Sequence, residues 1–232
     1  MLKPNIVVLT GAGVSAESGL KTFRDADGLW NGYDINEVAT PQGFAKNPAL
    51  VLNFYNQRRK DVANAQPNAA HYFLASLQEQ YSVQIITQNI DDLHERAGSK
   101  NVLHLHGEIF KMRSIANPFL TYPIHGDIHL GDLAPDGTQL RPFIVWFNEE
   151  VPLLGKAAEW VAAADILIII GTSLQVYPAA GLINFVLTGT PIVIIDKNIS
   201  PFPSKKNIIT IEQPATKGVE SLPAVLEALS DS

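Results

Sequence analysis

The chain has 232 residues, 46% hydrophobic and 17% charged, with a formal net charge of −6 and no cysteine. Acidity without a basic tail or a run of like charges argues against nucleic acid and against a membrane surface as the main partner. The lack of cysteine excludes disulfides, thiolate metal ligands and a thiol nucleophile. A chain of this length buries roughly 70–75% of its unfolded surface and needs no covalent staple. The apolar stretch in "MLKPNIVVLTGAG" is too short for a signal peptide, and the longest apolar run, "ILIII", cannot span a bilayer. The expectation is a soluble, cytoplasmic protein acting as a monomer.

Short β-branched runs predict strands at 5–10, 82–87, 101–106, 165–171, 191–196 and 207–211. Several are continuously apolar, as strands covered on both faces of a parallel sheet are. Helix-period segments fall between them, at about 47–64, 69–80, 153–163, 178–187 and 219–229. This alternation predicts an α/β fold with a doubly wound, Rossmann-like parallel sheet. Two stretches break it. Residues 20–66 hold a loop and a helical block, and residues 108–150 are rich in Gly, Pro, His and Asp. The expectation is one catalytic domain with a large lobe from about 1–19, 67–107 and 151–232. The two insertions then form a smaller lobe, and the cleft between the lobes is the expected site.

The first strand runs into "TGAGVSAESG", which fits G-x-G-x-x-A through Gly11, Gly13 and Ala16. Such a loop lets the backbone approach a pyrophosphate at a helix N-terminus, although a plain strand-to-helix turn reads the same way. No second strand with an acidic residue follows about 20 positions on, so a dinucleotide here is not held as in hydride transfer. Gly171, Thr172 and Ser173 end the fourth predicted strand and Asp196 ends the fifth. They are a phosphate or ribose contact on one reading, and a turn chosen for geometry with an ordinary loop acid on the other. Tyr55 and Arg58 share a helix face, either as a carboxylate-gripping pair or as a half-buried phenol beside a solvated guanidinium. The richest stretch is "TQNIDDLHERAGSKNVLHLHG", at 87–107, with His94, His104 and His106. Asn89 or Asp91 in it serves a ligand, caps the following helix, or does both.

Together "GAGVSAESGLKTFRDADGLW", "FYNQRR", "PNAAH", "TQNIDDLHERAG", "LHLHGEIF", "RPFIVWFNE", "GTSLQVYPAAG" and "KGVESLP" resemble the sirtuin family of NAD-dependent protein-lysine deacylases. The likeness covers nearly the whole chain and is nearest to the branch with a Tyr-x-x-Arg pair, associated with acidic acyl groups. It implies NAD as cofactor and acyl-lysine proteins or peptides as substrates, with free lysine, nicotinamide and O-acyl-ADP-ribose as products. By resemblance, His106 is the general base on the NAD ribose hydroxyls, and Asn89 joins it in catalysis. An imidazole near neutrality suits that task. His104 is expected to be a packing or supporting residue, and His71 and His94 are expected to be satisfied structural histidines.

The cofactor loop is then Gly11, Ala12, Gly13, Ser15, Ala16, Phe23 and Arg24, with Phe23 shielding the reactive ribose from water. Gln88, Asn89, Ile90 and Asp91 line the ribose and nicotinamide pocket. Gly171, Thr172, Ser173, Asp196, Lys197, Asn198 and Gly218 complete the cofactor set. Val145, Trp146, Phe147, Asn148 and Glu149 match a strand that pairs with the substrate backbone, and Val176 lies on the other side. Tyr55 and Arg58 select succinyl or malonyl groups.

There are departures. Most members of the family carry four zinc-binding cysteines in the smaller lobe, and this chain has none, so no metal is expected. His125, Asp127, His129 and Asp132 offer nitrogen and oxygen ligands, but a polar loop is the simpler reading. The lobe is expected to close instead on Ile109, Phe110, Ile115, Phe119, Leu120 and Tyr122. Asn148 stands where a glycine is usual, which is expected to narrow the substrate groove. Asp196 stands where an asparagine is usual. Protein ADP-ribosyl transfer or NAD hydrolysis is a second reading, and a non-catalytic NAD or ADP-ribose binder is a third.

Overall fold

The computed structural model describes residues 3–21, 30, 32–199 and 207–230. Strand β1 (Asn5–Thr10) runs directly into the short helix α1 (Ala12–Ala16). Helices α2 (Ile35–Val38), α3 (Pro41–Lys46) and α4 (Pro48–Asn64) follow. Helix α5 (Ala69–Ser76) leads into β2 (Ser82–Thr87), and α6 (Leu93–Arg96) into β3 (Val102–His104). The chain then makes an antiparallel excursion through β4 (Gly107–Ser114), β5 (Thr121–Pro123) and β6 (Leu140–Ile144). It returns by α7 (Leu154–Ala162) to β7 (Ile166–Ile170), β8 (Ile192–Asp196) and β9 (Ile208–Glu212), then ends in α8 (Ala215–Gly218) and α9 (Leu222–Ser230).

Six parallel strands lie in the order β3-β2-β1-β7-β8-β9. Counted within the sheet this is the doubly wound order 3-2-1-4-5-6, which reverses between β1 and β7 and opens a crevice at their carboxyl ends. The apolar runs explain the sheet. Ile6, Val8, Ile168 and Ile170 face one side, against Leu74, Leu222 and Leu226. Val7, Leu9, Leu167 and Ile169 face the other, against Val161 and Leu182. Side chains alternate along a strand, so only a run with both parities apolar can be covered on both faces.

Helix starts follow local chemistry. Asn47 caps α4 by accepting from the Leu50 N–H at 3.1 Å, with Pro48 at the first position, where no N–H is needed. Asn68 and His71 form a capping box on α5, with Asn68 Oδ1 accepting from the Ala70 N–H at 3.0 Å and His71 Nδ1 from the Asn68 N–H at 3.3 Å. The expected helix at 178–187 is instead a 3₁₀ run, Ala179–Phe185, which opens with the Gly181 N–H on the Pro178 carbonyl. A glycine inside so short a run weakens an α-helix.

The smaller lobe joins α2–α4 to a three-stranded antiparallel sheet in the order β5-β4-β6. Trp30, Val38, Phe54, Ile109, Ile144 and Trp146 form one of its cores, and Leu52, Ile128, Ala134 and Leu140 form another. Of the residues expected to close it, Ile109 is fully buried, while Phe110 and Tyr122 pack at the margins. Ile115 and Phe119 do not contribute, being 47% and 90% exposed. Both lie where β4 gives way to the turn before β5. Among the described residues no helix is long and apolar enough to cross a membrane, and no three His, Cys, Asp or Glu residues gather as metal ligands.

Candidate active site

A cleft of about 580 Å³ runs from the β1–β7 crevice to the smaller lobe. Its floor is the carboxyl edge of the sheet. There Gly11 and Gly13 meet the Gly171 backbone and Gly11 also meets the Thr172 side chain, with the Gly13 N–H donating to the Gly171 carbonyl at 2.8 Å. A Cβ on Gly13 would stand 2.8 Å from Gly171 Cα, and Gly171 itself has φ +66°. The motif spacing therefore reflects two loops packed too closely for side chains. Gln88 ties the same edge together, its Nε2 donating to Thr172 Oγ1 at 3.1 Å.

Asn89 is held from three directions. Its backbone N–H donates to Thr87 Oγ1 at 3.0 Å, its Nδ2 donates to Ser15 Oγ at 3.0 Å, and its carbonyl meets His104 Nδ1 at 3.1 Å. Ser15 also sits 3.4 Å from His71 Nε2 and hydrogen-bonds Asp91. Burial raises the Asp91 pKa, and the Leu93 N–H and Ser15 work against that shift. Asp91 thus serves the start of α6, through Leu93 N at 3.2 Å, and the cleft together.

The four histidines of the region separate by wiring. His71 is satisfied on both nitrogens, and burial lowers its pKa to about 4. His94 Nε2 lies 3.0 Å from Thr10 Oγ1, whose hydroxyl donates to Thr87, but its buried Nδ1 has no partner among the described residues. Burial holds it well below the ordinary value, so it is neutral. His104 is buried and engaged on both sides. His106 follows β3, in the turn before β4, rather than in the strand expected through 106. Its Nδ1 donates to the Gln88 carbonyl at 3.0 Å, and its ring lines the cleft, so the nitrogen left for the cleft is Nε2. Burial lowers its pKa while the Gln88 carbonyl opposes that shift, which keeps a neutral ring at neutral pH.

At the smaller-lobe end stand Tyr55, Arg58 and Trp146. Tyr55 is fully buried, and its hydroxyl accepts from Trp146 Nε1 at 3.0 Å. Burial raises its pKa strongly, so the phenol stays neutral and keeps its own proton to donate. Arg58 is buried too, with Nη2 3.4 Å from the Lys21 carbonyl and its guanidinium 5.3 Å from the Trp30 ring centroid. The solvated-arginine reading of this helix does not hold. Glu149 borders the cleft, but its carboxylate is occupied. It accepts from Arg141 at 2.7 and 3.0 Å, from Arg113 at 3.2 Å and from the Trp146 N–H at 2.8 Å. Arg141 also stacks on Trp146, 3.2 Å from the ring centroid.

Val145, Phe147, Asn148, Ser173 and Val176 all line the cleft. The expected substrate strand is shorter than anticipated: β6 ends at Ile144, and the Val145 and Phe147 N–H groups turn inward to the His106 and Ala39 carbonyls. Asp196 and Asn198 line the far end, where Asp196 Oδ1 accepts from the Asn198 N–H. Ala16, Lys197 and Gly218 do not line it. Ala16 ends α1, Lys197 points to solvent, and Gly218 is pressed against Ile195 with no room for a Cβ. Phe23 and Arg24 lie outside the described residues. Leu20, Trp30, Ile144 and Val151 also line the cleft and were not anticipated. Leu20, Trp30 and Ile144 lie inside the quoted motif stretches and Val151 just beyond one, and their signal in the sequence is apolarity alone.

The sheet order and the switch-point cleft define a doubly wound dinucleotide-binding fold with an inserted lobe. The profile of the Sir2 family matches residues 11–178, and the chain belongs to that family. It is 54% identical over 227 residues to an NAD-dependent protein deacylase of Helicobacter pylori, covering 97% of this chain and 99% of the relative. A Bacteroides thetaiotaomicron protein of the same description is 50% identical over 228 residues, covering 96% and 97%. Among solved structures, a mutant Sir2 homologue in complex with ADP-ribose superposes with a TM-score of 0.86 at 40% identity, covering 98% of this chain and 94% of that one. A Sir2 homologue–NAD complex gives 0.84 at 41% identity, covering 98% and 91%.

Proposed function

We infer that this chain is an NAD-dependent protein deacylase acting on acyl-lysine side chains, with a preference for acyl groups that end in a carboxylate. The observation that carries the reading is His106, a neutral imidazole fixed through Nδ1 where the glycine-lined crevice meets the Tyr55–Arg58 end. The residues present fit NAD. Gly11–Gly13 and Thr172 offer close backbone and a hydroxyl for phosphates, and Asp196 and Asn198 offer acceptors and donors for a ribose. Asn89, Ile90 and Asp91 offer an amide, main-chain groups and a buried carboxyl for the nicotinamide end. When bound, NAD supplies the electrophilic ribose carbon and the hydroxyls whose proton His106 Nε2 accepts.

The lysine enters between the Val145–Asn148 run and the Gln175–Pro178 run. Main-chain bonding there would supply affinity without demanding a sequence. The acyl end then meets Arg58, a buried cation, and Tyr55, a neutral donor whose oxygen is already occupied by Trp146. A carboxylate satisfies both.

The test is nicotinamide release with succinyl-lysine, acetyl-lysine and unmodified peptides. His106→Ala should lower turnover by about 10²–10⁴. Arg58→Met should cost desuccinylation about 10–100-fold more than deacetylation, the weight of roughly 1.5–3 kcal/mol for a hydrogen bond to a charged group. Equal losses on both acyl groups would remove the acidic-acyl preference and leave the deacylase. Release without peptide would replace the deacylase with an NAD hydrolase.

A further inference from the structure

His104 and His106 lie two residues apart and are wired alike on one nitrogen. His106 Nδ1 is 3.0 Å from the Gln88 carbonyl oxygen, and His104 Nδ1 is 3.1 Å from the next carbonyl along, that of Asn89. They differ on the other nitrogen. His104 Nε2 meets Glu95 Oε1 on α6 at 2.8 Å, whereas His106 Nε2 is left for the cleft. A carbonyl oxygen and a carboxylate are both acceptors, so a ring that satisfies both carries a proton on each nitrogen. We propose that His104, held as an imidazolium by Glu95, is a positioning residue that fixes Asn89 for the reaction, and that its deprotonation sets the alkaline limit of activity. This rests on the reading of Asn89 and His106 as the reaction site.

The imidazolium completes a three-point hold, with Thr87 on the Asn89 N–H and Ser15 on its side-chain amide. When His104 loses one proton, the remaining one can satisfy one acceptor. It follows the carboxylate, because a bond to an ionised acceptor is the stronger. The Nδ1 lone pair then faces the Asn89 carbonyl, and the hold becomes a repulsion.

The charges around the ring favour the cation. Glu95 on α6 and Glu108 on β4 both stabilise it, and Asp91 lies close on the loop. His94 on α6 feels the charge of His104, and burial keeps His94 itself neutral. Burial of His104 itself opposes the charge, but the Glu95 hydrogen bond, the Glu95 charge and the Asn89 carbonyl outweigh it and raise the pKa. The sign differs between the two rings. His104 acts as the cation, so its hold is lost as pH rises through a raised pKa. His106 acts as the neutral base, so activity is lost as pH falls through a lowered one. The two histidines bound a bell-shaped profile.

The experiment is the pH profile of kcat with an acylated peptide for the wild type, Glu95→Gln and His104→Phe, together with nitrogen NMR of the histidine rings in the wild type. The side-chain amide introduced by Glu95→Gln would donate to Nε2 of a neutral ring and leave the Nδ1 proton on the Asn89 carbonyl, so the alkaline limb should disappear while the acid limb stays. His104→Phe should lose the alkaline limb too, with kcat lower by up to about a hundredfold, as a misplaced catalytic group causes. NMR should show His104 protonated on both nitrogens at neutral pH. A neutral His104 ring there overturns the proposal whether or not the variants fold, and so does an alkaline limb that survives Glu95→Gln. Absence of turnover with every peptide would instead sink the functional reading, and the NMR would still report on His104.

Discussion

Asn148 sits at the mouth of the cleft with φ 69°, a left-handed conformation that costs most side chains roughly 1–2 kcal/mol and that asparagine tolerates better. The family's usual glycine at this point is therefore a backbone requirement, and the effect of Asn148 on groove width is a separate matter. Asn148→Gly should leave stability within about 0.5 kcal/mol, because relief of strain offsets the greater freedom of the unfolded chain. Asn148→Val should cost about 1–2 kcal/mol, since a β-branched residue resists this region. Urea unfolding of the two variants checks the pair, and equal stabilities would mean that the conformation is not strained. At this scale the sequence was most legible where chemistry is local. His106, Asn89 and Gly11–Gly13, singled out from their motifs, all line the cleft. Arg58, Arg59 and Arg141 were not legible as buried groups, because an arginine reads as solvated until the aromatic ring or carbonyl that covers it comes from another element.

Between elements, α4 does more than pack. Asn56 presents its amide to the backbone of Ile128, donating to the carbonyl at 2.9 Å and accepting from the N–H at 2.9 Å. Arg59, one turn on, donates to the Ile109 carbonyl at 2.9 Å and the Gly126 carbonyl at 3.1 Å. Burial lowers its pKa to about 10, with Asp127 opposing, so it stays charged at neutral pH. These side chains act as a missing strand for the segment that β5 and β6 leave between them. Asn56→Ala would orphan two buried main-chain groups at about 1–3 kcal/mol each, so a loss of about 2–6 kcal/mol is expected. Hydrogen exchange should show it as faster opening of 124–140 before the large sheet responds; uniform acceleration across both lobes would contradict this. The contrast explains why the strands and the existence of this lobe were legible and its internal packing was not. A parallel strand covered on both faces needs an unbroken Ile/Val run, which any reader sees. Residues 115–139 are held by single polar side chains, such as Ser114 accepting from Ala116 and Asn117 while donating to Asp136, and such bonds leave no period in the sequence. Apolarity alone then misassigns Phe119.

Across the whole molecule, one wall of the cleft is braced by a network within the smaller lobe. Arg113 and Arg141 hold Glu149, Glu149 holds the Trp146 N–H, and the Trp146 indole holds Tyr55 on α4. A lobe that supplies Tyr55, Arg58 and Trp146 to the cleft must keep its shape, and in most members of the family a cysteine-bound zinc lies in it. Here the lobe is built from two apolar cores, the Asn56 and Arg59 staples and the Ser114 hydroxyl network. The side chains best suited to replace a metal site are in other use: Asp127 pairs with Lys60 at 2.9 Å, and Asp132 accepts from the His129 N–H at 2.7 Å. Folding should therefore draw nothing from a metal. Prolonged dialysis against a strong chelator should leave the Tm and the nicotinamide-release rate unchanged, whereas a structural zinc site loses its folding energy when stripped. A Tm that drops on chelation and returns with zinc would show that the lobe has ligands this arrangement does not reveal. An unchanged Tm together with a steep loss in Asn56→Ala would establish that hydrogen bonds from one helix do here what a metal does elsewhere in the family.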